Sequence, residues 1–196
     1  MKFRQIRFLG LIGCARLMRD LAFSIIMFKF GVLIRWPFYI RQLGLMELSE
    51  DIKIGTGLVI DIFNDAAKLK IGAGLRAGRR LHIGVADEVV IGDNVLIADD
   101  VYISDHTHGS YTGALHDDAL SIVAQRDLKI RKIEIGDNVW LGQRVCVFPG
   151  VIIGNNSIIG AHSIVKDSIP PNSIAAGVPA KVIKVYDRNL NQWIVV

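Results

Sequence analysis

The sequence predicts a parallel β-helix, a solenoid of short stacked strands, and three observations carry that prediction. Between Ile135 and Val165 an aliphatic residue returns at every sixth position: Ile135, Leu141, Val147, Ile153, Ile159 and Val165. Glycine follows most of them, at Gly136, Gly142, Gly154 and Gly160. Two residues before each later aliphatic stands a small or β-branched residue: Val139, Val145, Val151, Ser157 and Ser163. An α-helix gives no strict six-residue period, whereas short strands joined by turns do, each sending one large side chain inward. Three such hexads close a triangular coil, and stacked coils place like residues above like in an aliphatic column. The glycine after each aliphatic is expected to permit the tight turn.

The elements follow in order. Residues 1–34 are expected to form one or two basic, amphipathic helices. Over the first 46 residues eight Lys and Arg face only Asp20, a net of +7, so the remainder carries −3 of the overall +4. The basic character therefore belongs to this segment and not to the repeat, and no nucleic-acid partner is expected. The uncharged run Leu21–Phe28 is too short to span a bilayer, which needs about 20 residues. A signal peptide is not expected either; Leu11-Ile12-Gly13-Cys14 looks like a lipoprotein cleavage box, but Arg16 and Arg19 and a second apolar stretch follow it. Two readings stand side by side: helices lying on an anionic inner-membrane surface, or helices capping the open end of the solenoid or a subunit interface.

The repeat domain is assigned to residues 35–184. Arg35 to Ile40 reads as an extended strand entering the first coil, since Pro37 suits an edge and not a helix interior. The hexads begin irregularly at Ile52, Ile54, Ile60, Ile71 and Ile83, with small loops or bulges expected at the corners, and become regular at Ile91, Ile97 and Ile103. From about 104 to 132 the pattern disappears into a long polar loop, of a length that is often functional. After Val165, two prolines and Gly177-Val178-Pro179 bend the chain, and residues 185–196 read as a short tail. Cys14 and Cys146 are the only cysteines and suggest neither a disulfide framework nor a zinc finger.

Three constellations carry chemistry. Asp105-His106-Thr107-His108-Gly109 opens the insert; an imidazole beside a carboxylate suits general-base work, removing a proton from an alcohol or amine that attacks a carbonyl. The same His-x-His pair could ligate a metal, with His82 or His116 as third ligand. Trp140 precedes an inward aliphatic and is expected at a corner, with its flat face available. Lys166, Lys181 and Lys184 form a basic end suited to phosphate.

At these residues the chain resembles the hexapeptide-repeat acyltransferases, the galactoside and maltose acetyltransferase-like group, and within it the O-acetyltransferases of lipopolysaccharide O-antigen and capsule assembly. The resemblance covers residues 50–184 and is most specific at IGDNVWLG (135–142), PGVIIGNNSIIGAHSIV (149–165) and IPPNSIAAGVPAKVIK (169–184). It implies a left-handed β-helix, a homotrimer with sites between subunits, and acetyl-CoA as donor in direct transfer without metal. It places the catalytic histidine on His108, with His106 as the alternative; Asp105 or a backbone carbonyl would orient the ring. Trp140, Tyr111 and His116 would line the site, and Gly142, Gln143, Gly160, Ala161, Lys166, Lys181 and Lys184 would meet the donor. The backbone near Gly142 would hold the oxyanion. Many relatives have Pro at the Gly109 position, and several have Ser at Gln143, Thr at Lys166 and Arg at Lys181 and Lys184.

The expected activity is thus O-acetylation of a sugar, with an acceptor that is lipid-linked at the cytoplasmic leaflet. A small soluble sugar is the alternative acceptor. A zinc hydratase like the γ-class carbonic anhydrases, or a non-catalytic scaffold, would use the same solenoid.

Overall fold

The computed structural model describes residues 3–111 and 116–196, with side chains from Gly10 onward. The side chains of Lys2, Arg4 and Arg7, part of the basic segment, lie outside the described residues. The chain is a left-handed parallel β-helix of about seven coils with three flat faces. The first face carries Val32–Ile34, Ile52–Ile54, Arg76–Ala77, Leu96–Ile97, Trp140–Leu141, Ile158–Ile159 and Ser173–Gly177; the second and third have six and five strands. The six column residues from Ile135 to Val165 are all fully buried, and Val139, Val145, Val151, Ser157 and Ser163 line the interior beside them.

The irregular spacing of the first half has a simple geometric origin. Ile34 pairs with Ile54, Ile54 with Ala77 and Ala77 with Ile97, and none of these steps is a whole number of hexads. Leu141 pairs with Ile159, the regular coil of three hexads. The extra residues of the longer coils sit in corners such as Phe63–Ala67, where the Asn64 side chain accepts the Ala66 and Ala67 N–H groups.

The glycines work differently from the expected turn role. The left-handed turn residue lies three positions after the aliphatic, at Asn138 (φ 55°) and Asn156 (φ 60°), where an Asn tolerates it. Gly142 is required because the next coil passes directly against it. A Cβ there would lie 2.6 Å from the Ala161 nitrogen.

The N-terminal helix, Phe3–Met27, is broken at Gly10 (φ 62°, ψ 176°). It docks on the first strand through Leu17, Asp20 and Ser24, one helical face. The Ser24 hydroxyl accepts the Ile34 N–H at 3.0 Å and donates to the Ile34 carbonyl at 3.3 Å, and Arg19 and Arg35 converge on the buried Asp20 carboxylate. Its other face leaves Leu11, Ile12, Met18, Ile26 and the following Phe30 exposed. No described helix is long and apolar enough to cross a membrane.

The insert opens as a hairpin, His106–His108 antiparallel to Leu128–Ile130, and the coils on either side remain in register. The expected tail is not free: Ala180–Asp187 runs across residue 184, pairs with Ser173–Gly177 and is capped by Gln192–Val195.

Candidate active site

The corner after Tyr102–Ser104 on the second face organises the site. The preceding coil turns at Val85-Ala86-Asp87, and its Ala86 and Asp87 N–H groups point at the next coil. Asp105, fully buried, accepts both, at 2.8 Å from Ala86 and 2.7 Å from Asp87. The same carboxylate lies 3.0 Å from His106 Nδ1. An Nδ1–H donated to a carboxylate leaves Nε2 with its lone pair, the form a general base needs. The ring is held on further sides. Phe63 meets it edge-on with centroids 4.6 Å apart, Ser104 Oγ is 3.3 Å from Nδ1, and Gly84 lies beneath it, where a Cβ would approach Cε1 to 3.0 Å.

His106, Thr107 and His108 form one strand, so both imidazoles line one cleft of about 430 Å³. Asp105 therefore orients His106, while the His108 ring is exposed and makes no side-chain hydrogen bond among the described residues. Tyr111 donates to the His108 carbonyl and accepts from Arg126 at 3.0 Å, which ties the insert together and does not line the cleft. His116 stands with Asp117 and Lys129 on the insert's far side. Among the described residues no group of three His, Cys, Asp or Glu side chains is arranged to hold a metal, so His82 and His116 do not complete a ligand set with the His-x-His pair.

The expected donor residues lie elsewhere on the prism. Trp140 is not at a corner: it is the outward residue of a first-face strand, paired with Leu96 and Ile158, because the inward position belongs to Leu141. It faces a separate recess with Asn138, Asn156, Tyr186 and Trp193. Gly142, Gln143, Gly160 and Ala161 follow that face at its corners. The Gly142 N–H bonds the Ile159 carbonyl at 2.8 Å and the Gly160 N–H bonds Ala175 O at 2.8 Å, so neither is free to hold an oxyanion. Two hydrogen bonds from the ion-paired Arg80 hold the Asp100 carboxyl, which lies near Gln143, down at about 2. Lys181 pairs with Asp167 at 3.2 Å, and Lys166 is exposed. One chain thus gathers Asp105, His106 and His108 but keeps them on a different face from Trp140.

Sequence reasoning missed the rest of the cleft wall: Asp61, Phe63, Tyr102 and Phe148. Their one signal is that large side chains occupy outward strand or corner positions, where solvation alone asks for none.

Comparison with known proteins places this geometry in a family. The family described as "Bacterial transferase hexapeptide (six repeats)" matches residues 132–167. A protein of Escherichia coli named "Putative lipopolysaccharide biosynthesis O-acetyl transferase WbbJ" is 38% identical over 188 residues, 94% of each chain. The galactoside O-acetyltransferase of Escherichia coli is 55% identical over 62 residues, 31% of this chain and 30% of its own length. A solved galactoside acetyltransferase in complex with coenzyme A is 28% identical, with a TM-score of 0.58 over 96% of this chain and 93% of that one. AntD, an N-acyltransferase from Bacillus cereus solved with dTDP and coenzyme A, shares the fold at 20% identity and a TM-score of 0.65, over 82% of this chain and 84% of its own.

Proposed function

Since the chain belongs to the hexapeptide-repeat acyltransferases and is an acyl-CoA-dependent transferase, we propose that it moves an acetyl group from acetyl-CoA to a sugar hydroxyl in lipopolysaccharide O-antigen or related polysaccharide assembly. The observation that carries the chemistry is the carboxylate-held imidazole in an open cleft. His106 Nε2 takes the proton of the acceptor hydroxyl as that oxygen attacks the thioester carbonyl. The tetrahedral intermediate collapses, the C–S bond breaks, and the imidazolium returns its proton to the departing CoA thiolate. Asp105 stabilises the imidazolium and fixes the ring. His108 is the second reading, favoured by its exposed ring in the same cleft and by the ungapped resemblance.

The reading includes a homotrimer, which the division of the site over two faces supports. Trp140 and the expected donor positions lie on a different face from the histidines, and a neighbouring copy could bring the two together. The N-terminal helix supports a peripheral contact with an anionic, cytoplasmic membrane leaflet: its outer face exposes Leu11, Ile12 and Ile26 beside Arg16, and the turn after it exposes Lys29 and Phe30.

The test is acetyl-CoA-dependent acetylation of purified O-antigen or capsule repeat units by wild type, His106→Ala and His108→Ala. Loss in His106→Ala alone, with CoA binding retained, supports the dyad; loss in His108→Ala alone moves the base by two residues. No transfer by wild type to any glycan overturns the acceptor class. Flotation with anionic vesicles, with and without residues 1–30, tests the membrane contact, and equal flotation of both refutes it.

A further inference from the structure

The cleft that His106 and His108 line holds a third histidine, which takes no part in holding the His106 ring. His82 is paired with Tyr102 on the adjacent coil, their rings edge-to-face with centroids 5.1 Å apart. Its Nε2 lies 3.6 Å from Asp61 Oδ2, and the other oxygen of Asp61 is 3.4 Å from Arg41 Nη2. The imidazole is thus backed by a carboxylate and an aromatic ring while its side chain stays 42% exposed to the cleft. Folding gives little reason for an open, braced histidine on this wall.

Its position is informative. His82 stands two residues before Gly84 on one strand, and Gly84 is the residue over which the His106 ring sits. Two residues along a strand span roughly 6.6 Å, the width of one pyranose ring. Tyr102 and Phe148, both about 40% exposed, line the same cleft and offer apolar surface to a sugar's C–H face. Among the residues lining the cleft the only permanent charge is the negative one of Asp61; no Lys or Arg lines it. An anionic sugar would meet the Asp61 carboxylate, and the nearest fixed cation, Arg41, is already paired with it.

We infer that His82 is an acceptor-binding residue. It bonds a hydroxyl across the ring from the one His106 deprotonates, and the cleft takes one uncharged pyranose, a hexose, deoxyhexose or N-acetylhexosamine, and rejects a uronic acid. This rests on the reading of the cleft as the acceptor site.

The test uses the full-length protein, acetyl-CoA and five p-nitrophenyl glycosides: β-glucoside, β-galactoside, α-rhamnoside, N-acetyl-β-glucosaminide and β-glucuronide. Wild type, His82→Ala, His82→Gln and His106→Ala are compared by acceptor KM, acetyl-CoA KM and kcat. One lost hydrogen bond raises the acceptor KM of His82→Ala about fivefold to tenfold. The acetyl-CoA KM stays unchanged, His82→Gln recovers most of the loss, and the glucuronide is the poorest acceptor. An unchanged acceptor KM in His82→Ala, or a preferred glucuronide, overturns the inference while leaving the transferase intact. A wild type that uses repeat units but none of the five glycosides overturns the single-pyranose assignment. Undiminished turnover by His106→Ala overturns instead the reading of the dyad as base.

Discussion

Gly84→Ala isolates the position of one imidazole. The added Cβ would sit 3.0 Å from His106 Cε1, whereas Ser104 Oγ at 3.5 Å and Phe63 Cε2 at 3.8 Å would be in ordinary contact. Carbon atoms prefer about 3.5–4.0 Å, so the ring must yield by roughly half an ångström to one ångström. It cannot do so freely, because Asp105 holds Nδ1 and Phe63 blocks one side. A misplacement near one ångström costs about a hundredfold in rate, so we expect kcat to fall tenfold to a hundredfold, about 1.4–2.7 kcal/mol of barrier. The fold loses less, about 1 kcal/mol of local overpacking, because Gly84 is not in the left-handed region. Steady-state kinetics should show lower kcat with unchanged acetyl-CoA KM, and thermal unfolding a shift of a few degrees. Adding Phe63→Leu gives the ring room and should restore part of kcat. A well-folded Gly84→Ala with wild-type kcat would refute the assignment of His106 as base.

Other predictions follow from separate parts of the molecule. Asp105→Ala strips acceptors from the Ala86 and Asp87 N–H groups and should destabilise by about 2–5 kcal/mol, read by chemical denaturation; Asp105→Asn should retain more of the fold while losing about a hundredfold in kcat. His106→Ala and Trp140→Ala, each inactive alone, should regain activity when co-refolded at equal amounts, about a quarter of sites being intact if each site takes one residue from each of two subunits. No recovery would place both residues' roles within one chain. Leu141→Ala, in the fully buried column, should cost about 2–5 kcal/mol, measured by urea unfolding. Burial pushes the Asp20 carboxyl up, but hydrogen bonds from Arg19, Arg35 and the Trp36 N–H outweigh it and hold it below the usual range. A lowered folded-state value means the helix docking it supports is complete above about pH 4 and is lost as pH falls through that value. Hydrogen exchange at residues 17–27 should therefore accelerate on acidification below pH 4, and Asp20→Asn should abolish that dependence.

The stretch from Ile135 to Val165 is legible because its coils are three uninterrupted hexads, so its buried column follows directly from the period. The first half hides its pairings behind longer coils, such as those joining Ile54 to Ala77 and Ala77 to Ile97. His82 and Tyr102 are neighbours only because their coil exceeds three hexads, and no hexad count brings them together. The Asp105-His106 contact is visible as adjacency. What chooses His106 over His108 for the carboxylate is not, because it depends on the Ala86 and Asp87 N–H groups that fix the carboxylate from a coil away. Trp140 falls at a corner only when its place is read from the turn glycine; read from the strand, its outward position is plain.

The Arg131 N–H bonds the Asp105 carbonyl at 2.8 Å, so the insert leaves and rejoins the solenoid at a single point. Whatever lies between those residues closes a loop whose ends already touch, and lengthening such a loop costs only a logarithmic entropy. The rungs above and below do not register its length. The insert is thus an exchangeable cassette, and a lineage could lengthen, trim or replace it from the hairpin outward to meet a new glycan while the carboxylate and the rungs stay as they are.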